Sequence, residues 1–103
     1  MTISAVEMNI PSVVSVRVDD ETLSVDLSDG RSIAVPCLWF PRLHHAAQNE
    51  REQWCVIGDG SGIHWDVIDE DISVKGLLAG RPSGESLESF QRWLEKRKSA
   101  KTG

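Results

Sequence analysis

Residues 14–36 read VSVRVDDETLSVDLSDGRSIAVP, and the spacing of their apolar side chains decides the fold. Val14, Val16 and Val18 alternate with Ser15 and Arg17; Leu23, Val25 and Leu27 alternate with Ser24 and Asp26; Ile33 and Val35 open a third alternation. A period of two belongs to a strand with one buried face. The link Asp19-Asp20-Glu21 is short and polar, and Asp29-Gly30 is a dipeptide that accepts positive φ in a two-residue hairpin turn. The first third of the chain is therefore expected to be a three-stranded antiparallel meander. Pro36 should end its ladder, because proline has no N–H to pair.

Beyond the meander the apolar period changes. Pro41 suits a first helical turn, and Leu43, Ala46, Ala47 and Trp54 follow at helical spacing, with Glu50, Arg51 and Glu52 assigned to the wet side. A helix of about three turns is expected there. Trp54–Ile57 is a short apolar run, and Ile63, Trp65 and Val67 alternate after the glycine-rich residues 58–62, which predicts a second hairpin. Ser73 can cap a short helix closed by Gly80, and an amphipathic helix is expected over residues 86–98, with Leu87, Phe90 and Leu94 on its apolar face and Trp93 beside it. Residues 99–103 should fray. The fold class read from these elements is α+β: meander, helix, second hairpin, short helix and C-terminal helix.

The 103 residues, 40% hydrophobic and 26% charged, are read as one soluble domain, 1–103. The start MTISAVEMNI has no basic segment followed by an apolar run, and no apolar stretch of about 18 residues occurs, so a cytoplasmic protein without a membrane span is expected. Cys37 and Cys55 lack CxxC spacing and are read as buried free thiols. Charge is distributed unevenly. Residues 1–80 hold five Lys/Arg against 13 Asp/Glu, and residues 81–103 hold six against three. An acidic body repels a phosphate backbone and attracts basic partners, which disfavours nucleic-acid binding by the whole domain.

One segment resembles a site. Residues 58–73, GDGSGIHWDVIDEDIS, crowd carboxylates, His64 and three glycines together. The oxygens are not at the positions of a calcium loop, and the glycines precede a strand where a phosphate loop would open a helix. Asp66, Asp69, Glu70 and Asp71 are consistent with turn and cap roles or with a surface for a basic partner; paired acid–base catalysis would need two carboxyls held across a reacting bond in different environments. His44 and His45 are adjacent, so on a helix they point about 100° apart and cannot form the two-histidine zinc pair. No serine lies in GxSxG. Four of the six aromatic residues are tryptophans, of which Trp54 and Trp65 are assigned to the core, whereas Trp39 and Trp93 are candidate partner anchors.

Four segments in order, LSVDLSDGRS at 23–32, PCLWFPRL at 36–43, WCVIGDGSGIHW at 54–65 and DEDISVKGLLAG at 69–80, resemble the bacterial domain-of-unknown-function family twenty-four forty-two, across roughly residues 12–80. The resemblance implies a small α+β domain with no catalytic residue or cofactor assigned. It also implies a second small protein encoded beside this one, in an arrangement similar to a toxin–antitoxin pair. Some relatives carry a helix-turn-helix after the domain; the chain after Gly80 offers one clear helix.

The favoured reading is a non-enzymatic, antitoxin-like interaction domain without cofactor or metal, possessing an acidic face (Asp66, Asp69, Glu70, Asp71) for a basic protein encoded nearby. Homodimerisation through a sheet edge or the terminal helix is compatible with it. The alternative is a DNA-binding regulator in which Arg92, Lys96, Arg97, Lys98 and Lys101 contact phosphates. A small metal-dependent hydrolase using His64 with Asp66, Asp69 or Asp71 ranks third.

Overall fold

The computed structural model describes residues 10–102, with side chains described for residues 10–98. Residues 1–9, from which the absence of a leader is argued, lie outside the described residues, as do the side chains of residues 99–103. The fold is α+β. Strands β1 (Val13–Val18), β2 (Thr22–Leu27) and β3 (Ser32–Pro36) form the first antiparallel sheet in the order β1-β2-β3. A 3-10 turn, Cys37–Trp39, leads to α1 (Pro41–His45) and α2 (Gln48–Arg51). Strands β4 (Trp54–Ile57), β5 (Gly62–Trp65) and β6 (Glu70–Ser73) form the second antiparallel sheet, and α3 (Val74–Leu78) and α4 (Leu87–Thr102) follow. One cluster of buried side chains, including Leu23, Val25, Leu43, Ile63, Trp65, Ile68 and Val74, joins both sheets and the helices.

The meander is as its alternation predicts, with two adjustments. A bulge between Val13 and Ser15 lets Val13 take the inward place opposite Leu27, so Val14 is exposed while Val16 and Val18 are buried. The β2–β3 connection is a three-residue loop, not a two-residue turn. The Leu27 N–H reaches the Arg31 carbonyl, the Gly30 N–H reaches the Leu27 carbonyl, and Gly30 has φ 93°, a conformation that glycine adopts without a Cβ penalty. Pro36 is the last residue of β3, paired with Thr22.

The second half departs further. Residues 70–73 form a third strand, β6, which an acidic run conceals, and β5 stops at Trp65, leaving Val67 exposed in a 3-10 turn, Asp66–Ile68. In the loop between β4 and β5, Gly60 has φ 93°, and a Cβ there would lie 2.5 Å from that of Ser12, so the loop can pack on the first sheet only without one. Ser73 caps α3 by accepting the Gly76 N–H at 2.9 Å, and Gly80, at φ 70°, closes it. Helix α4 continues to Thr102, through part of the segment expected to fray. Its Leu87 is exposed, and Phe90, Trp93 and Leu94 are half-buried apolar residues. Cys37 is buried, but Cys55 is exposed on β4, an edge strand. Trp65 is fully buried, whereas Trp54 is only partly so.

The expected three-turn helix is broken in two at Ala46 and Ala47, whose ψ angles of 154° and 158° are extended. Alanine is the best helix former, so tertiary contacts override propensity here. The cause is Arg51, assigned by spacing to the wet side but 5% exposed. Its Nε donates to the Leu43 carbonyl at 3.1 Å and its Nη2 to the His44 carbonyl at 2.7 Å, satisfying the end of α1. Nη1 reaches Asp20 at 2.8 Å, and the buried Trp65 indole N–H donates to the Arg51 carbonyl at 3.0 Å. One residue thus ties α1, α2, the β1–β2 turn and, through its main-chain carbonyl, β5 together. Replacing it with methionine keeps an apolar stem but removes the bonds to the Leu43 and His44 carbonyls and to Asp20. Arg51→Met is expected to lower the unfolding free energy by about 2–4 kcal/mol in urea titrations.

Candidate functional site

Strand β6 divides the acidic run between two environments. Ile68, Glu70, Ile72 and Val74 are buried, while Asp69, Asp71 and Ser73 are exposed, as a period of two requires. The chain reverses into β6 through Asp69 at φ 51°, with the Asp69 N–H on the Asp66 carbonyl at 3.2 Å. Aspartate tolerates this left-handed conformation better than most residues. Of the four acids grouped by sequence, three therefore face out and Glu70 faces in.

On the outer side His64 stands opposite Asp71 in the β5–β6 ladder. Its Nδ1 is 2.5 Å from an Asp71 carboxylate oxygen, and its Nε2 is 3.4 Å from Asp66. These two carboxylates, Asp71 first, hold the imidazole above its ordinary pKa. The Asp66 and Asp71 side chains are 97% and 67% exposed, so this is an open surface and not a cleft. Among the described residues no group of three or more His, Cys, Asp or Glu side chains is disposed to hold a metal ion.

The inner side centres on Arg42, at the start of α1. Its Nε lies 3.0 Å from both carboxylate oxygens of Glu85, its Nη2 lies 2.5 Å from one of them, and its Nη1 donates to the Ile68 and Asp69 carbonyls at 3.0 and 3.3 Å. Ser89, on α4, adds an O–H bond to Glu85 at 2.7 Å. The Arg42 guanidinium, with help from Ser89, holds the Glu85 carboxyl below its ordinary value. Arg42 also lies 5.4 Å from the Trp93 ring centre, and Arg97 lies 4.6 Å from it, a cation–π arrangement that seats α4.

Glu70 gains little from this network. It is 9% exposed, and among the described residues none donates a hydrogen bond to its carboxylate. Burial, opposed in part by Arg42 and reinforced by the charges of Glu85, Asp71 and Asp69, pushes its pKa up to about 7. Glu70 borders a cavity of about 350 Å³ lined by Phe40, Ile72, Leu77, Lys75, Arg81 and Ser83 among others.

The remaining residues singled out by sequence are dispersed. Trp39 and Trp93 each pack partly buried against the core. Arg92 and Lys96 are exposed and share a groove of about 430 Å³ with Val67 and Trp93. Arg97 is turned toward Glu50, with bonds of 2.7 and 3.0 Å. Lys98 is exposed, and the side chain of Lys101 lies outside the described residues. Arg42, Glu85 and the burial of Glu70 were missed by sequence reasoning. The alternation Ile68, Glu70, Ile72 was the available signal for the last; nothing local announces a pair 43 residues apart.

These features define a small α+β domain with two three-stranded antiparallel sheets, an open acidic edge and an internal arginine–glutamate clamp. Residues 13–83 match the family described as "Protein of unknown function (DUF2442)", and the chain belongs to that family. A crystal structure of a protein of unknown function from Rhodospirillum rubrum is similar, with 30% identity over 77% of this chain and 98% of that one, at a TM-score of 0.66. A solution structure of an uncharacterized protein from Chromobacterium violaceum shares the fold at 19% identity and a TM-score of 0.64, covering 81% of this chain and 78% of that one. No curated protein matches this sequence. Among the described residues no helix is long and apolar enough to cross a membrane.

Two titrations check the site. His64 is protonated at higher pH in the fold than free, so its contribution is complete below the ordinary imidazole value and is lost as pH rises through the folded value. Asp71→Asn should lower the His64 midpoint followed by NMR. For Glu70 the folded carboxyl binds its proton more tightly than the unfolded one, so stability falls as pH rises from 4.5 to about 7. Glu70→Gln should escape that loss. Its stability advantage over the parent, measured by urea unfolding, should grow by about 3 kcal/mol between about pH 4 and about pH 8.

Proposed function

We propose that the chain is a non-enzymatic, cytoplasmic protein-interaction domain that regulates a small protein encoded beside it, in the manner of an antitoxin. Its contact face for a basic partner is the turn bearing Asp66, Val67, Asp69 and Asp71. The observation carrying this reading is an apolar side chain, Val67, 45% exposed within a rim of solvated carboxylates. An apolar contact ringed by charge is the anatomy of an association surface, whereas catalysis calls for groups held in a water-poor pocket. Trp93 borders the same groove as Val67 and extends the apolar strip.

Contact between the basic C-terminal helix and DNA is the weaker reading. Arg97 is engaged by Glu50 and Trp93, which leaves Arg92 and Lys96 as the exposed cations beside the groove. The acidic body of the chain also repels a phosphate backbone.

Exposed rim charges act chiefly on encounter rate. The tagged chain should co-purify with the product of the adjacent gene. Replacing Asp66, Asp69 and Asp71 together with asparagine should slow association about tenfold at low salt, as read by surface plasmon resonance. Elution of the chain alone, with no effect on the neighbour's activity, would contradict the reading.

A further inference from the structure

We propose that the cavity under residues 81–84 is a subsite for one lysine or arginine side chain of the basic partner, with Glu70 as the group that pairs with it. The proposal rests on the reading above that the partner is basic, and adds the anchor that the exposed rim lacks.

Glu70 is the reason. A carboxylate on a side chain only 9% exposed that receives no described hydrogen bond depends on what reaches it from solvent, whereas buried polar groups are nearly always satisfied from within the fold. Among the described residues the cation whose charge acts on it, Arg42, makes its hydrogen bonds to Glu85 and to the Ile68 and Asp69 carbonyls instead. Yet the Glu70 oxygens are not sealed in. Glu70 borders the cavity under residues 81–84 and a second recess lined by Arg42, Asp69, Ser83, Glu85 and Ser89. The free carboxylate is accessible to a donor from outside while its own neighbours supply none.

The cavity suits a long basic side chain. At about 350 Å³ it lies at the small end of the range for ligand sites, about 300–1,000 Å³. Phe40, Ile72 and Leu77 give apolar walls for a methylene stem, which leaves the charged head to reach Glu70. Asp71 lines the same cavity and also belongs to the outer acidic face, so a partner seated there is already beside the entrance. Lys75 and Arg81 line it too, but both are exposed, and solvent and salt screen exposed charges far more than buried ones. A cation entering would restore to Glu70 a charge-assisted bond, the stronger kind of hydrogen bond.

The test uses the full chain and two probes of equal shape, N-acetylarginine amide and its uncharged analogue N-acetylcitrulline amide, titrated through the millimolar range above pH 7 with amide NMR readout. The arginine probe should give saturable shifts at Glu70, Ile72, Leu77 and Ser83, with the citrulline probe at least about tenfold weaker, as expected for loss of a charged bond. Glu70→Gln, a neutral replacement of similar shape, should abolish those shifts. Shifts confined to Asp66 and Asp71, equal response to both probes, or an undiminished response in Glu70→Gln would overturn the proposal. Arginine binding at Glu70 without any co-purifying basic protein would support the subsite and remove the functional reading above. Co-purification undiminished by Glu70→Gln would do the reverse.

Discussion

The Arg42–Glu85 pair is the constraint on which the site depends. Both side chains are mostly buried, at 15% and 12% exposure, and the guanidinium fork meets the carboxylate from two nitrogens while its third closes on two carbonyls of the turn before β6. Planar, multiply bonded geometry of this kind offsets the cost of removing two charges from water, which a single contact would not. The clamp binds the start of α1, the turn at Ile68 and Asp69, the segment before α4 and, through Trp93, α4 itself. It has a second effect. The hydrogen bonds of Arg42 go to Glu85 and to two carbonyls, so Glu70 sits near a positive charge without a hydrogen bond from it.

Arg51 plays a comparable part on the other side of α1. It takes up the carbonyls released where the helix breaks at Ala46 and Ala47, and its own carbonyl receives the Trp65 indole. Between them the two arginines fix the short helices that separate the sheets. In both cases the long side chain supplies directional bonds that the small apolar core does not.

The legible parts of the fold are those encoded by neighbours in sequence. The β1–β3 alternation, the glycine after Asp29, the serine cap of α3 and the long C-terminal helix follow from local chemistry, and all are present. What escaped is set by distant partners. Arg51 looks like a surface residue on a helical wheel until Asp20 and the α1 carbonyls close around it. The acidic run reads as a solvated turn unless Ile68, Glu70 and Ile72 are seen to share one face. The outer acids were placed on a turn and strand edge by pattern; Asp66 and Asp69 lie in the turn and Asp71 on β6, an edge strand, while His64 lies on the central strand β5. Glu70 was grouped with them and belongs to the interior.

One short strand thus carries two kinds of carboxylate: a solvated one that shapes an approach surface, and a mostly buried one to which no described group donates. Membership in a family of proteins of unknown function leaves chemistry as the guide to their use, and burial without a described hydrogen bond is the property that distinguishes Glu70. Carbon-13 detection of the Glu70 side-chain carboxyl through a pH titration of the free protein measures it directly. The account predicts a midpoint of about 7. A midpoint in the ordinary glutamate range would mean that water or a donor already satisfies this carboxylate, and would contradict it.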